Sequence, residues 1–279
     1  MIRITSLHIY PVKSLRGIDL QESILEVRGL EYDRTWMVSD ATGKFITQRH
    51  YAAMATIRTE ITEEHLILHH PKHASLEIPL AAQNLTTDDV IIWDDQVRAI
   101  DEGEEASRWL TAILGVIDGK GVRMFRFAPE HIRPVKQKHL KGEDAHTAFA
   151  DGFPFLVTSE ASLDALNQQL EQKGASPVGM DRFRPNIVIE GVDPFQEDQI
   201  QSLTNSRYAL GLRKPCQRCH VTTIDQQTGQ KIEPKEPLRT LVQMNTQPEL
   251  EGGHFGQNAV LLSGEGETIR VGDKLRIES

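Results

Sequence analysis

Short segments with strand character, separated by polar turns, follow one another from residue 57 to residue 100. Their apolar residues are often β-branched or alternate with polar ones, which is typical of half-buried strands. The predicted strands are Ile57–Ile61, Leu66–His69, Ser75–Ile78, Val90–Trp93 and Val97–Ile100. This pattern predicts a sheet or a small barrel.

The remaining segments add strands and a few helices. Helical periodicity runs from Glu104 to Leu114, with Gly115 placed as the C-cap. A second helix is expected after Thr158 and Ser159, either of which has the hydroxyl that an N-cap needs. Further strands are predicted at Ile2–Tyr10, at Val122–Phe127, at Ile187–Ile189, in the segment ending at Ser263, and as a final hairpin over Ile269–Ile277 that turns at Gly272-Asp273. We predict a mainly β fold (α+β) with two domains, residues 1–120 and 121–279.

Composition limits the functional classes. The chain has 279 residues, 39% of them hydrophobic, and no long apolar run, so we expect a soluble globular protein without a transmembrane helix. Its net charge of −9 argues against a nucleic-acid partner. The first ten residues lack a signal-peptide pattern, and two closely spaced cysteines favour a reducing compartment. These features predict a cytoplasmic protein that binds neither nucleic acid nor a membrane.

Both cysteines lie in one segment, residues 214–225, which we call the cysteine motif. The β-branched residues after Cys219 predict a strand that leads into a turn at residues 226–229. In such a strand His220 would point away from Cys219, and Arg218 would lie on the side opposite the ligand. Cys219 would then stand on rigid backbone at the start of a strand, which suits a metal or redox centre.

Four interpretations of the two cysteines compete. They can be small buried side chains without a chemical role. A structural zinc site needs about four ligands, so two of the eleven histidines would have to join them, and no histidine pair shows ligand spacing. A redox dithiol is expected at a helix N-terminus, whereas a β-branched run follows here. The fourth interpretation is a single thiolate on a metal whose other ligands come from a cofactor.

Basic residues lie next to predicted strands at several separate places along the chain. Lys13 and Ser14 come after the first strand, where a basic side chain, a hydroxyl and backbone N–H groups can hold an anion, although a solvated turn is the plainer interpretation. Alternation from residue 29 to residue 38 predicts Arg34 and Trp36 on one face of a strand. A surface cation–π pair is the simplest role for these two.

Arg184 and Asn186 precede the buried run at residues 187–189 and would point to the same side of an extended chain. Arg supplies a fork of donors for anionic oxygens, and Asn supplies both a donor and an acceptor. A turn leading into the strand is the structural alternative. The polar segment from Pro129 to Thr147 lacks periodicity and is expected to form a mobile loop at the rim of a site.

The segment Pro215–Leu241, which contains both cysteines, and the segments Tyr10–Ser14, Asp33–Trp36, Ala150–Leu163 and Arg182–Ile189 together resemble the MOSC-domain molybdenum-cofactor proteins. The nearest branch is the amidoxime-reducing component type, with its bacterial relatives that detoxify N-hydroxylated bases. The resemblance covers most of the chain. It implies an N-terminal β-barrel-like domain associated with a MOSC β-barrel domain.

The resemblance also implies a set of site residues. Cys219 matches the molybdenum ligand and Cys216 does not. Residues implied to bind the molybdenum cofactor (Mo-molybdopterin) are Lys13, Ser14, Arg34, Arg49, Thr158, Ser159, Arg184, Asn186 and Gln217. Asp33 is expected to orient Arg34. Gln217 stands where the family usually has Ser, so a hydroxyl contact at that position is in doubt.

The activity implied is two-electron reduction of the N–O bond of an N-hydroxylated substrate, in a molybdenum-dependent oxidoreductase. We expect no iron–sulfur cluster in this chain, and therefore a separate electron donor, either a flavoprotein reductase or a ferredoxin-like protein. Two alternatives stay open. One is a protein that carries molybdenum cofactor without turnover, and the other is a protein whose Cys219 bears a persulfide for sulfur delivery.

Overall fold

The computed structural model describes residues 1–81 and 86–278, and strands dominate them. The first strands are β1 (Ile2–Ile9), β2 (Ile18–Leu20), β3 (Glu22–Glu26), β4 (Gly29–Leu30), β5 (Trp36–Ser39), β6 (Arg58–Ile61), β7 (His65–His70), β8 (His73–Pro79), β9 (Thr87–Ile92), β10 (Asp95–Asp101) and β11 (Arg123–Phe127). The later strands are β12 (Phe155–Ser159), β13 (Ile187–Glu190), β14 (Ser202–Thr204), β15 (Ala209–Gln217), β16 (His254–Ser263), β17 (Thr268–Arg270) and β18 (Lys274–Glu278). The helices are α1 (Gly103–Leu114), α2 (Glu160–Gln172) and α3 (Leu238–Met244).

Seven strands form a closed barrel in the order β13-β12-β16-β15-β14-β18-β1, and the ring closes because β1 also pairs with β13. Only β12 and β13 run parallel to each other; the other neighbours in the ring are antiparallel. Apolar residues that alternate along these strands fill the interior, among them Ile4, Val157, Ile187 and Leu210. Closure leaves no free edge in this ring.

The other strands form smaller sheets. The order β5-β11-β10-β9 makes a four-stranded sheet, and β6, β7 and β8 make an antiparallel three-stranded sheet. Helix α1 buries Ala106 and Leu110 in a core that also contains Trp36 and Met124. This core stabilises the sheet whose first strand, β5, begins two residues after Arg34.

The mainly β fold is confirmed, and so are the five strands between residues 57 and 100 and the helix capped by Gly115. The final hairpin is wrong, because β17 pairs with β3 whereas β18 pairs with β14 and β1. The strand predicted after Cys219 is also wrong. Strand β15 ends at Gln217, and residues His220–Thr223 form a short 3-10 helix.

Strand pairing does not follow a single cut of the chain. Strand β1 belongs to the barrel with the later strands, whereas β11 belongs to the four-stranded sheet with β5, β9 and β10. The division at residues 120 and 121 stays a prediction. Within the described residues, no helix combines the length and apolar character needed to cross a membrane.

Candidate functional site

A groove forms where the ends of β1, β12 and β15 meet the turns before β5 and β13. We call this cavity the groove; its lining includes Lys13, Ser14, Arg34, Thr47, Arg49, Ala150, Asp151, Gly152, Phe153, Phe155, Leu156, Phe183, Arg184, Asn186, Cys216, Arg218, Cys219, Val221 and Asn258. Five of these side chains are basic and one is acidic, although the whole chain carries −9. The groove is therefore a local positive site in an acidic protein.

Arg34 is held rigidly by its neighbours. Its Nη1 donates to both carboxylate oxygens of Asp33, at 2.7 and 2.6 Å, and Asp33 also accepts a hydrogen bond from the backbone N–H of Tyr10. The predicted orientation of Arg34 by Asp33 is thus confirmed. Burial raises the pKa of Asp33 and the adjacent Arg34 opposes that rise.

The predicted common face of Arg34 and Trp36 is wrong. Arg34 precedes β5 in a left-handed conformation, with a φ of 48°, and its guanidinium lies 4.3 Å from the ring centre of Tyr10. Trp36 is 1% exposed and has the guanidinium of Arg126 over its ring instead. The turn before β5 therefore directs Arg34 into the groove and Trp36 into the core.

Arg184 reaches the groove from the turn before β13. It too has a left-handed conformation, with a φ of 55°, so the extended chain assumed at this position is wrong. Its guanidinium lies 4.1 Å from the ring centre of Tyr10, and its Nη1 donates to Oε1 of Gln226 at 3.2 Å. Burial lowers the pKa of Arg184 to about 10. Because this value is still well above 7, the side chain stays charged at neutral pH.

Asn186 also lines the groove, but its amide is already engaged. Oδ1 accepts from the backbone N–H of Leu156 and Nδ2 donates to the carbonyl of His8.

Ser14 has a φ of 67°, and its carbonyl accepts from Gln48, which is hydrogen-bonded to Gln226. Left-handed non-glycine residues cost energy and concentrate at functional sites. The groove has three of them.

Lys13 and Asp151 form an ion pair at the base of the groove. Nζ of Lys13 lies 2.5 Å from Oδ1 of Asp151 and also donates to the carbonyl of Phe149. Arg49 approaches the other carboxylate oxygen at 3.7 Å. Loss of water raises the pKa of Asp151, but Lys13 and Arg49 lower it by more, so it lies well below its usual range. Asp151 was missed by the sequence analysis because an Asp-Gly pair ordinarily marks a turn.

The cysteine motif closes the groove. Both sulfurs belong to residues that line it and are partly buried. Arg218 lines it as well, which contradicts its expected position on the opposite side. Its Nε is buried without a hydrogen-bond partner among the described residues. His220 lies in the 3-10 helix and is exposed, so the strand geometry used to direct it away from Cys219 does not apply.

Three residues implied by the resemblance do not line the groove. Gln217 is exposed and donates to the carbonyl of Glu251. Thr158 is fully buried, and its hydroxyl donates a hydrogen bond to the sulfur of Met180. Ser159 caps α2 by accepting from the N–H of Ser162, which confirms its predicted capping role. In the described ranges, no group of three or more His, Cys, Asp or Glu side chains is arranged to hold a metal ion.

Comparison with known proteins agrees with this architecture. The family model described as "MOSC N-terminal beta barrel domain" matches residues 1–117, and the one described as "MOSC domain" matches residues 144–276. The chain therefore belongs to the family of MOSC-domain proteins with an N-terminal MOSC beta barrel domain.

The individual relatives show which kinds of MOSC-domain protein this chain is similar to. The chain is 32% identical to human mitochondrial amidoxime-reducing component 1 over 286 residues, covering 97% of this chain and 81% of the relative. The mouse protein of the same name is 31% identical, with 97% and 80% covered. Molybdenum cofactor sulfurase of Drosophila grimshawi is 29% identical over 82% of this chain, which corresponds to only 29% of that relative. These matches support a function related to molybdenum cofactor.

Proposed function

We propose that the protein is a molybdenum-cofactor-dependent reductase of N-hydroxylated compounds. The observation that carries the proposal is the thiol of Cys219 in a groove with five basic side chains. Relatives named amidoxime-reducing components, similar along nearly the whole chain, support the same activity.

The residues of the groove fit the cofactor. A thiolate is the soft ligand that suits molybdenum, and the guanidinium and ammonium groups suit its phosphate and pterin oxygens. The buried Nε of Arg218 is a donor without a partner in the described residues, which is expected where a ligand supplies the acceptor. When bound, the cofactor supplies the two-electron reduction of an N–O bond.

Each side chain has a distinct role in this proposal. Cys219 holds the metal. Lys13, Arg34 and Arg184 bind the anionic and polar edges of the cofactor, with Asp33 fixing Arg34 by its two hydrogen bonds. The stacking of Arg34 and Arg184 on Tyr10 limits their movement, so little entropy is lost when they bind a ligand.

The remaining residues that the resemblance implies for cofactor binding fall into two groups, those that line the groove and those that do not. Ser14 and Asn186 line the groove and are proposed contacts, and Arg49 extends the positive surface toward Asp151. Thr158 and Ser159 do not contact the cofactor in this proposal. They stabilise the end of β12 and the start of α2 instead. Electrons are proposed to come from a separate flavoprotein or ferredoxin-like donor, and a cytoplasmic location stays a prediction.

The proposal is tested on protein purified from a host that makes the cofactor. We expect about one molybdenum and one pterin per chain, and reduction of a benzamidoxime-like substrate with reduced viologen as the electron donor. Stoichiometric zinc without pterin would refute it. Full cofactor content without any turnover would favour a cofactor carrier, and a persulfide on Cys219 would favour sulfur delivery.

A further inference from the structure

A second and wider cavity lies beside the groove. This cavity, which we call the cleft, has a volume of about 990 Å³, which suits a small-molecule site. Five residues line both cavities: Asp151, Gly152, Phe153, Cys216 and Asn258. A molecule in the cleft would therefore reach the groove beside the cysteine motif. The inference below rests on the proposed function.

Three lysines line the cleft, Lys136, Lys138 and Lys214. His139 lies in the same lining, and its pKa is lowered by loss of water and then by the positive charges of Lys214, Lys138 and Lys136. Among residues 1–81 and 86–278, none of the three ammonium groups has a carboxylate within 4.0 Å. Their positive charge is therefore not neutralised by ion pairing.

Two of the three carboxylates of the cleft are neutralised by ion pairs. Asp95 pairs with Arg133 at 2.7 Å, and Asp151 pairs with Lys13. Asp94 is the third carboxylate in the lining. The lysine side of the cleft consequently favours an anion.

Aromatic side chains also line the cleft. The ring of Phe153, which lines both cavities, lies 6.1 Å from the ring of His139. Trp93 lines the cleft as well, but the guanidinium of Arg49 already lies over its ring, 4.7 Å from the centre. The ring of Phe153 is therefore the one that we expect to bind a planar ligand by stacking.

We propose that the cleft is the substrate site and that its three lysines favour planar N-hydroxylated compounds carrying a phosphate group. The ring of the substrate stacks near Phe153, so that its N–O group faces the groove. The phosphate binds Lys136, Lys138 and Lys214. A phosphate dianion matches several point charges better than a neutral or singly charged group does.

The kinetic test compares a hydroxylaminopurine nucleoside with its 5′-monophosphate, because both contain the same N–O bond. With viologen as donor, we expect the monophosphate to have a KM about tenfold lower, as a few partly exposed charge contacts would give. The combined variant Lys136→Gln, Lys138→Gln, Lys214→Gln should bring the ratio of the two KM values close to one. A matched variant with Lys72→Gln, Lys235→Gln and Lys274→Gln, all exposed and outside the cleft lining, should keep it.

A binding measurement separates this inference from the proposed function. Calorimetric titration with adenosine monophosphate and adenosine involves no N–O bond. We expect tighter binding of the nucleotide to the wild type and loss of that preference in the cleft variant. This result would support the site even if no N–O bond were reduced. Equal affinities, or a KM ratio that the cleft lysines do not change, would overturn the inference. Slower turnover of the cleft variant with a protein donor alone, at an unchanged KM ratio, would instead assign the lysines to donor docking.

Discussion

The guanidinium of Arg218 donates a hydrogen bond of 2.9 Å to the sulfur of Cys216. Its other Nη donates to the carbonyl of Phe183 at 2.7 Å, just before Arg184. Arg218 thus connects the cysteine motif to the turn before β13. The sulfur of Cys219 has no hydrogen bond to the described residues and is left for a ligand. The two thiols therefore differ in their hydrogen bonding, in keeping with the separate roles proposed for them.

Cys219→Ala should abolish reduction of N-hydroxylated substrates, because it removes the thiolate that is proposed to anchor the metal. Cys216→Ala should keep much of the activity, since it removes only an acceptor of Arg218. Turnover with viologen and thermal unfolding of both variants check this. If both variants lost turnover equally with the fold intact, a redox dithiol would be indicated; if both lost stability, a structural zinc site would be.

Arg184→Ala and Arg218→Ala should both reduce cofactor retention. Each removes a charged donor from the groove, which costs roughly 1.5–3 kcal/mol of binding. The strand expected around Cys219 placed Arg218 on the side opposite the ligand and so predicted a larger effect for Arg184, but the structure brings both residues to the groove. Pterin content per folded chain is the measurement, with exposed Arg58→Ala on β6 as the control. Wild-type pterin content in Arg218→Ala would show that its buried Nε does not bind the cofactor.

Asp151→Asn should lower stability in a pH-dependent manner. The folded-state pKa of Asp151 lies below its unfolded value, so the stabilisation is fully present above about pH 5 and is lost as the pH falls through the folded pKa. Because 62% of the Asp151 side chain is exposed, we expect a loss of about 1 kcal/mol at most. Thermal unfolding from pH 3 to pH 7 should show the difference from wild type shrinking in acid. Asp88→Asn is the exposed control, and a difference that grew in acid would contradict the prediction.

Ser159→Ala should cost about 1 kcal/mol of stability, because it removes the N-cap of α2. Cofactor content per folded chain should be unchanged, since Ser159 does not line the groove. Thermal unfolding and pterin analysis distinguish the two effects. Ser176→Ala, at an exposed position, is the matched control. A loss of pterin at unchanged stability would restore the direct contact that the family resemblance implies.

Local patterns predicted the features that depend on neighbouring residues. The short strands between residues 57 and 100 and the end of α1 at Gly115 follow from alternation and capping, which act within a few positions. The orientation of Arg34 by Asp33 was predictable for the same reason, because the two side chains are adjacent. Motif similarity placed Lys13, Arg184 and Cys219 in one site, where the structure also brings them together.

Several of the errors lie where the backbone departs from regular geometry. Alternation assumes an extended chain, whereas Arg34 and Arg184 have left-handed conformations that turn their side chains toward Tyr10. The β-branched residues after Cys219 favour a strand, yet no strand within residues 1–81 and 86–278 pairs with them. A hydrogen bond from Thr222 to the carbonyl of Cys219 supports the 3-10 helix instead.

Sequence therefore determined the mainly β composition, the chemical types of the site residues and the family, because propensity and motif are properties of short segments. Tertiary structure alone decided that β1 closes the barrel against β13, that Asp151 pairs with Lys13, and that Arg218 enters the groove. Each of these contacts joins residues that lie far apart in the chain or depends on a turn between them. Such contacts form only when burial of the whole core outweighs the entropy of closing long loops, and no local pattern encodes that balance.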